Sequence, residues 1–182
     1  MRVIGVVGYP ASGKGEFSRI AAASGIPVVV MGDVIRREAA KAGLGTSDAA
    51  LGEMAVRLRK ERGMDAVALL TIGDVESLRA PLLLIDGLRG DAEVRVFRDQ
   101  FPGFLLVGIV SSFANRLARS SARGRSDDLS LAEDLLNRDR REEGFGLARA
   151  LAEADRVIGN DGTLQEFEAN VRALLNEIRG GP

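Results

Sequence analysis

The segment Gly8-Tyr9-Pro10-Ala11-Ser12-Gly13-Lys14 has the clearest capacity for chemistry in the chain. It fits the pattern G-x-x-x-x-G-K and lies between an apolar run and a helical pattern, which is the context that the pattern requires. Its glycines let successive backbone N–H groups converge on phosphate oxygens, and the helix N-terminus adds partial positive charge. Lys14 can bridge the terminal phosphates of a nucleoside triphosphate. The predicted phosphate-binding residues are Gly8, Pro10, Ala11, Ser12, Gly13, Lys14, Gly15 and Glu16.

One position departs from this P-loop pattern. The residue after the lysine is normally a Ser or Thr that ligates Mg²⁺, whereas this chain has Gly15 and then Glu16. No hydroxyl is offered at either place. We therefore expect Mg²⁺ to be held through water, by Asp86 or by Glu16.

Two further motifs follow apolar runs. In Gly32-Asp33-Val34-Ile35-Arg36, Asp33 reads locally as a helix cap with Arg36 one turn inside the helix. That helix would begin at the carboxyl edge of the sheet, where α/β proteins bind ligands, so Arg36 is also a candidate ligand contact. In Asp86-Gly87-Leu88-Arg89, the carboxylate closes a strand beside the P-loop strand, and Arg89 can present a planar fork to a phosphate.

A series of arginines follows the fourth apolar run, and its members are Arg116, Arg119, Arg123, Arg125, Arg138, Arg140 and Arg141. Guanidinium groups on a closing flap can neutralise the charge that spreads over a transferred phosphoryl group. Most of the seven can equally form a solvated face that pairs with nearby Asp and Glu. We single out Arg116, Arg123 and Arg138 for function.

Short apolar runs alternate with helical patterns along the chain. Val3–Val7, Ile26–Val30, Leu82–Ile85, Phe104–Val110 and a weaker Arg156–Ile158 predict five buried parallel strands. The predicted helices include Glu16–Ala23, Asp91–Phe101, Ser112–Ala122 and an amphipathic one from Leu164. This alternation predicts a doubly wound α/β fold, with a five-stranded parallel sheet between two layers of helices.

Composition narrows the chemistry further. The 182 residues contain no Cys and no His, which excludes thiol nucleophiles, disulfides, Cys/His zinc sites and a His general base. Phosphoryl transfer suits the remaining residue types because it depends mainly on positioning and charge neutralisation. The net charge of −1 gives no overall attraction to nucleic acid, and no apolar run approaches bilayer length. We expect a cytoplasmic protein without membrane or nucleic-acid partners, as a monomer or small homo-oligomer.

The chain resembles adenylate kinases and their relatives in the nucleoside-monophosphate-kinase superfamily. The P-loop, Gly32-Asp33-x-x-Arg36 and Asp86-Gly87-Leu88-Arg89 occur in the same order and nearly the same spacing. Gly63-Met64-Asp65 and Asn160-Asp161-Gly162-Thr163 make it most similar to an archaeal family that is adenylate-kinase-related and dephospho-CoA-kinase-like. The resemblance implies a single P-loop kinase domain with core 1–36, 81–118 and 147–182, an acceptor-binding insertion at 37–80 and a short lid at 119–146.

The resemblance also implies roles for individual residues. Lys14 and the P-loop would orient the phosphates of ATP, and Asp86 would hold the waters of Mg²⁺. The acceptor, an AMP-like nucleotide, would contact Asp33, Arg36, Gly87, Arg89 and Glu93, with Glu93 near its base. Arg116 and Arg138 would neutralise negative charge in the transition state. Asn160 and Gly162 would flank the base of ATP. The alternatives are a dephospho-CoA kinase, an ATPase or switch that acts on a partner, and an AMP sensor.

Overall fold

Strands and helices alternate along the part of the chain that the computed structural model describes, which is residues 1–121 and 128–180, without the side chains of 128–130. The strands are β1 (Arg2–Val7), β2 (Val28–Val30), β3 (Leu82–Leu88), β4 (Leu105–Val110) and β5 (Arg156–Gly159). The helices are α1 (Lys14–Ala23), α2 (Met31–Lys41), α3 (Asp48–Arg62), α4 (Ala66–Ser77), α5 (Asp91–Gln100), α6 (Phe113–Ser121), α7 (Asp128–Gly144), α8 (Leu147–Ala152) and α9 (Leu164–Gly180).

All five strands form one parallel sheet in the order β2-β3-β1-β4-β5. Strand β1 is central. From β1 the chain first builds the sheet on one side, with β2 and β3, and then on the other side, with β4 and β5. In open α/β sheets, ligands bind at such a change of side, outside the carboxyl ends of the strands. The loop that follows β1 lies at this point, and the predicted fold class is confirmed.

Helices cover both faces of the sheet. On one face, Phe17 of α1 and Phe167 and Val171 of α9 pack against Ile4 and Val107. On the other, a larger apolar cluster joins α2, α3, α4, α5 and α8 to the sheet. Strands that are buried on both faces read as continuous apolar runs, which is why the sequence marks them clearly.

Two boundaries at the carboxyl edge differ from the prediction. Strand β3 continues through Leu88, beyond its predicted end at Ile85. A bulge at Gly87, where φ is 102°, shifts the pairing with β1 between Val6 and Val7. Such a bulge re-aims the residues that follow it. Helix α2 begins at Met31, so Asp33 lies in the first turn and is not the N-cap; the expectation that it caps the helix is wrong.

The predicted insertion at 37–80 contains the end of α2 and all of α3 and α4. The predicted lid at 119–146 contains the end of α6 and all of α7. This division into core, insertion and lid stays a prediction. Arg123 and Arg125 lie outside the described residues. In the part of the chain described, no helix is both long and apolar enough to cross a bilayer.

Candidate functional site

The loop between β1 and α1 has a backbone shape that suits phosphate binding. Ala11 has a φ of 60° and Gly13 a φ of 116°, both in the left-handed region that non-glycine residues rarely adopt. A Cβ at Gly8 would lie 2.5 Å from the carbonyl oxygen of Ile109. The Ser12 hydroxyl is buried without a hydrogen-bond partner among the described residues. Because buried hydroxyls are nearly always bonded, this hydroxyl is a candidate donor to a phosphate oxygen.

Lys14 lies at the start of α1, and its side-chain amine contacts the backbone of the P-loop. Nζ donates hydrogen bonds to the carbonyl oxygens of Gly8, at 2.5 Å, and Tyr9, at 2.9 Å. Burial lowers the pKa of Lys14 to about 7, the charge of Arg89 acts in the same direction, and Glu142 opposes both. The negative charge of a bound polyphosphate would raise the pKa of Lys14 again and favour its charged form.

Asp86 is the carboxylate that the structure brings beside the loop. The Ser18 hydroxyl lies 2.8 Å from Asp86 Oδ2 and 3.0 Å from the Lys14 carbonyl oxygen. Glu16 points elsewhere, since Arg19 donates to it and ties it to Glu168 of α9. The assignment of Glu16 to a metal therefore stays a prediction that these contacts do not favour.

The donor set at the loop is compatible with Mg²⁺. The described residues hold no group of three or more Asp, Glu, His or Cys that could bind a metal by itself. Mg²⁺ at phosphate sites keeps several waters and needs only one or two carboxylates, because the phosphates supply other ligands. Asp86, with Ser18 beside it, meets that requirement.

Asn160 holds the loop in place. Its side-chain Nδ2 donates to the carbonyl oxygen of Ser12 at 2.8 Å, and a Cβ at Gly13 would collide with the same amide. Arg119 donates to the Asn160 carbonyl oxygen and, at 2.9 Å, to the Ser111 hydroxyl. These contacts make Asn160 a residue that shapes the P-loop. Its predicted contact with the base of ATP stays a prediction.

The rest of the Asn160–Thr163 segment is also bonded within the protein. Asp161 accepts hydrogen bonds from Asn115, Ser111 and Ser112, which hold the pKa of its carboxyl well below the usual range. Thr163 and Glu166 cap α9 reciprocally. Gly162 lies between these two arrangements, in a surface cleft lined in part by Asn160 and Thr163.

Helix α7 is joined to the P-loop by one direct hydrogen bond and by a second link through Arg116 of α6. The Tyr9 hydroxyl donates to Glu143 Oε1 at 2.8 Å, and burial together with this bond raises the pKa of Tyr9 to about 12. Buried Arg116 donates to both carboxylate oxygens of Asp139, at 2.9 and 2.8 Å, and to the Pro10 carbonyl oxygen at 3.1 Å. The predicted role of Arg116 at the transition state stays a prediction, since its described partners are a carboxylate and a carbonyl.

A partly open cavity of about 200 Å³ is lined by α2, α3, the end of β3 and α7, and its residues Arg89, Arg138 and Glu142 lie near Lys14 of the loop. Its polar wall contains guanidinium groups from α2, α3 and α7 and from Arg89, the residue that follows β3, and its apolar wall offers a surface for a planar base. The lining residues include Arg36, Arg59, Arg89, Arg138, Arg141, Glu142, Ile35, Leu51, Ala55, Val67, Gly87 and Phe145. Arg36, Gly87, Arg89 and Arg138 were predicted for the site, and the structure brings them together.

The predicted arginines of this cavity carry different partners. Arg36 pairs with Asp33, and both side chains are about half exposed. Arg89 donates to Glu142 Oε2 at 2.6 Å in a mostly buried pair. Arg138 lies 3.6 Å from Asp48, and its Nε is buried without a partner among the described residues. Asp33 itself is engaged by Arg36 and does not line the cavity, so its contact with an acceptor stays a prediction.

Glu93 lies beneath the cavity, with no exposed surface. Its Oε1 accepts from Arg59 at 2.5 Å, and its Oε2 accepts from the backbone N–H groups of Arg89 and Gly90. Both oxygens are therefore occupied by the protein. These contacts favour a positioning role, and the prediction that Glu93 reads an acceptor base has no support from them.

Comparison with known proteins identifies the family of this chain. The AAA-domain family matches residues 7–133, a stretch that begins at the end of β1 and includes the P-loop. A UPF0200 protein from Methanoregula boonei is 59% identical over 182 residues, with both chains fully covered. Another from Methanosarcina mazei is 45% identical over 97% of this chain and 95% of its own. The chain belongs to the UPF0200 family.

Solved structures similar to this UPF0200 chain share its fold at low sequence identity. TT1252 from Thermus thermophilus aligns with a TM-score of 0.66 at 20% identity, over 98% of each chain. Shikimate kinase from Bacteroides thetaiotaomicron aligns with a TM-score of 0.57 at 15% identity, also over 98% of each. These similarities establish a P-loop kinase-like fold.

Several residues of the UPF0200 site were not predicted from the sequence. Ser18 and Arg59 carry no local motif, and the sequence predicts Asp139 and Glu142 only as carboxylates of a solvated face that pairs with the arginine series. For Ser18, the sequence offers only its spacing from Lys14, because residues four apart lie on the same face of a helix.

Proposed function

We propose that this protein is an ATP-dependent phosphotransferase that moves the γ-phosphoryl group to a nucleoside monophosphate. The observation that carries the proposal is the position of Arg89 and Arg138. Both line the cavity, and both lie near enough to Lys14 to lower its pKa. A phosphate held by these guanidinium groups would therefore lie next to a triphosphate on the loop.

In the proposed reaction, the P-loop amides, the Ser12 hydroxyl and Lys14 hold the β- and γ-phosphates of ATP. Arg36 and Arg89 hold the acceptor phosphate, and the apolar wall receives the base. An acceptor phosphate oxygen bonds to the γ-phosphorus as the bond to the β–γ bridging oxygen breaks, and ADP leaves. Arg138 neutralises charge in the transition state. Asp86 would hold Mg²⁺, which when bound neutralises charge on the phosphates. No general base is required because the acceptor oxygen is already anionic.

The proposal is tested by giving the protein γ-labelled ATP and Mg²⁺ with a panel of nucleoside monophosphates, dephospho-CoA or water alone. We expect label in a nucleoside diphosphate, because the cavity combines guanidinium groups with an apolar wall. Label that appears only in inorganic phosphate would contradict the proposal and indicate an ATPase or switch.

Glu142 supports a second candidate, a kinase with a hydroxyl acceptor such as dephospho-CoA. It is buried, lines the cavity and lies near Lys14. A carboxylate in that position repels an acceptor phosphate, whereas it can take the proton of an acceptor hydroxyl. Hydroxyl transfer needs such a base, and phosphate transfer does not.

Glu142→Gln separates the two candidates. For the proposed phosphate acceptor we expect the KM of the acceptor to fall by roughly three- to tenfold, with kcat little changed, because Arg89 is released and a like charge is removed. For a hydroxyl acceptor, kcat would fall by roughly 10²–10⁴-fold with the loss of the base. Steady-state kinetics over a range of acceptor concentrations gives both parameters.

A further inference from the structure

Gly52 is a buried glycine in the interior of α3, a helix of 15 residues. Glycine is disfavoured at such positions relative to alanine. The backbone does not require it, because Gly52 is not among the residues with positive φ. A Cβ built at Gly52 would lie 2.6 Å from Nη1 of Arg141 and 3.1 Å from its Cζ. Because Gly52 has no side chain, the Arg141 guanidinium can lie directly against α3.

Arg141 differs from the other arginines of the cavity. Arg36, Arg59 and Arg89 each have a carboxylate partner within 2.6 Å. Arg141 forms no ion pair and no hydrogen bond with any residue described. Arg140, the preceding residue, is exposed, and no glycine of α3 makes room for it. Within the described part of the chain, Arg141 thus presents a guanidinium without a protein partner at the cavity wall, where a ligand anion can reach it.

We infer that Arg141 binds the phosphate of the acceptor and that Gly52 provides the clearance for its guanidinium. This inference rests on the proposed function, and it adds a residue of α7 to the phosphate contacts of Arg36 and Arg89. The planar fork of arginine matches two phosphate oxygens at once. The acceptor phosphate would therefore be held by guanidinium groups from α2, from the residue after β3 and from α7.

The test is equilibrium binding by calorimetry of AMP, dephospho-CoA and inorganic phosphate to the full chain and its variants. Arg141→Gln is expected to weaken binding by roughly tenfold or more, because a charge-assisted contact is lost. Gly52→Ala is expected to weaken binding similarly while thermal stability is kept or rises, since alanine favours the helix. In the Arg141→Gln background, Gly52→Ala should have no further effect. Arg140→Gln is the matched control and should bind as the wild type.

The outcomes separate this inference from the function on which it rests. If the wild type binds none of the three probes, the proposed function and the inference are both overturned. If the wild type binds and Arg141→Gln binds equally well, only the inference is overturned. If Gly52→Ala weakens binding as much in the Arg141→Gln background as alone, Gly52 acts independently of Arg141, and the recess has another purpose.

Discussion

Replacing Lys14 by methionine is expected to lower phosphoryl transfer by roughly 10²–10³-fold, a typical loss for one preorganised donor at a developing charge. The ammonium group lies at the start of α1 and is bonded to Gly8 and Tyr9, so it can move to a phosphate without rearrangement of the helix. Methionine keeps the length and apolar character of the side chain. Single-turnover measurements with saturating ATP and acceptor would isolate the transfer step from binding.

The same variant has a predicted effect on stability that depends on pH. Because the folded protein lowers the pKa of Lys14 from 10.5 to about 7, the unfolded chain binds more protons between these values. The contribution of Lys14 to stability is therefore fully present above pH 10.5 and is lost as pH falls through about 7. We expect Lys14→Met to be more stable than the wild type near pH 6, and the difference to shrink at higher pH. Urea unfolding at several pH values measures this.

ATP binding supplies an independent check on Lys14. Phosphates beside the amine should raise its pKa again, so binding at pH 8 should take up close to one proton, and binding at pH 6 close to none. Calorimetry in two buffers with different ionisation enthalpies counts these protons. If Lys14→Met takes up as many protons as the wild type, or transfers phosphate at the same rate, Lys14 does not contact the donor and the assignment of the loop is wrong.

The parts of the molecule that depend on local pattern were predictable from the sequence. Strands β1, β3 and β4 are buried on both faces and therefore read as apolar runs, and the P-loop has a fixed spacing of glycines and lysine. The parallel order of the sheet follows from strand–helix alternation. Arg36 and Arg89 could be placed in one cavity because both follow carboxyl ends of adjacent strands.

The remaining parts depend on contacts between distant residues, which no local pattern reports. Arg59 and Glu93 are 34 residues apart and meet only in the folded chain, where the Arg59 side chain of α3 reaches the first turn of α5. Asn160 reaches the P-loop from 148 residues away, so its bond to Ser12 is invisible in sequence. Glu93 illustrates the consequence: its place in the chain suggested a contact with a base, whereas α3 supplies a guanidinium that engages it first.

Glu93→Gln is expected to destabilise the protein by about 3–5 kcal/mol, because it leaves the charge of Arg59 buried without a partner. Arg59 has only 4% of its side chain exposed, and Glu93 has none. Arg59 also lies over the Phe145 ring, 4.2 Å from its centroid, so it cannot move to solvent without disturbing the turn between α7 and α8. The glutamine keeps the shape of the side chain, which separates the loss of charge from the loss of packing. Chemical denaturation gives the free energy of unfolding.

Two further variants show whether the buried charge is the cause. In Glu93→Gln/Arg59→Met the unpaired charge is gone, and most of the lost stability should return, since buried pairs can often be replaced by apolar residues at little net loss. Glu166 is the matched control: it completes a cap on α9 as Glu93 does on α5, but it is exposed. Glu166→Gln should therefore change stability only slightly. If Glu93→Gln is as mild as Glu166→Gln, the Arg59–Glu93 pair does not contribute this stability, and the arginine wall of the cavity is positioned by other contacts.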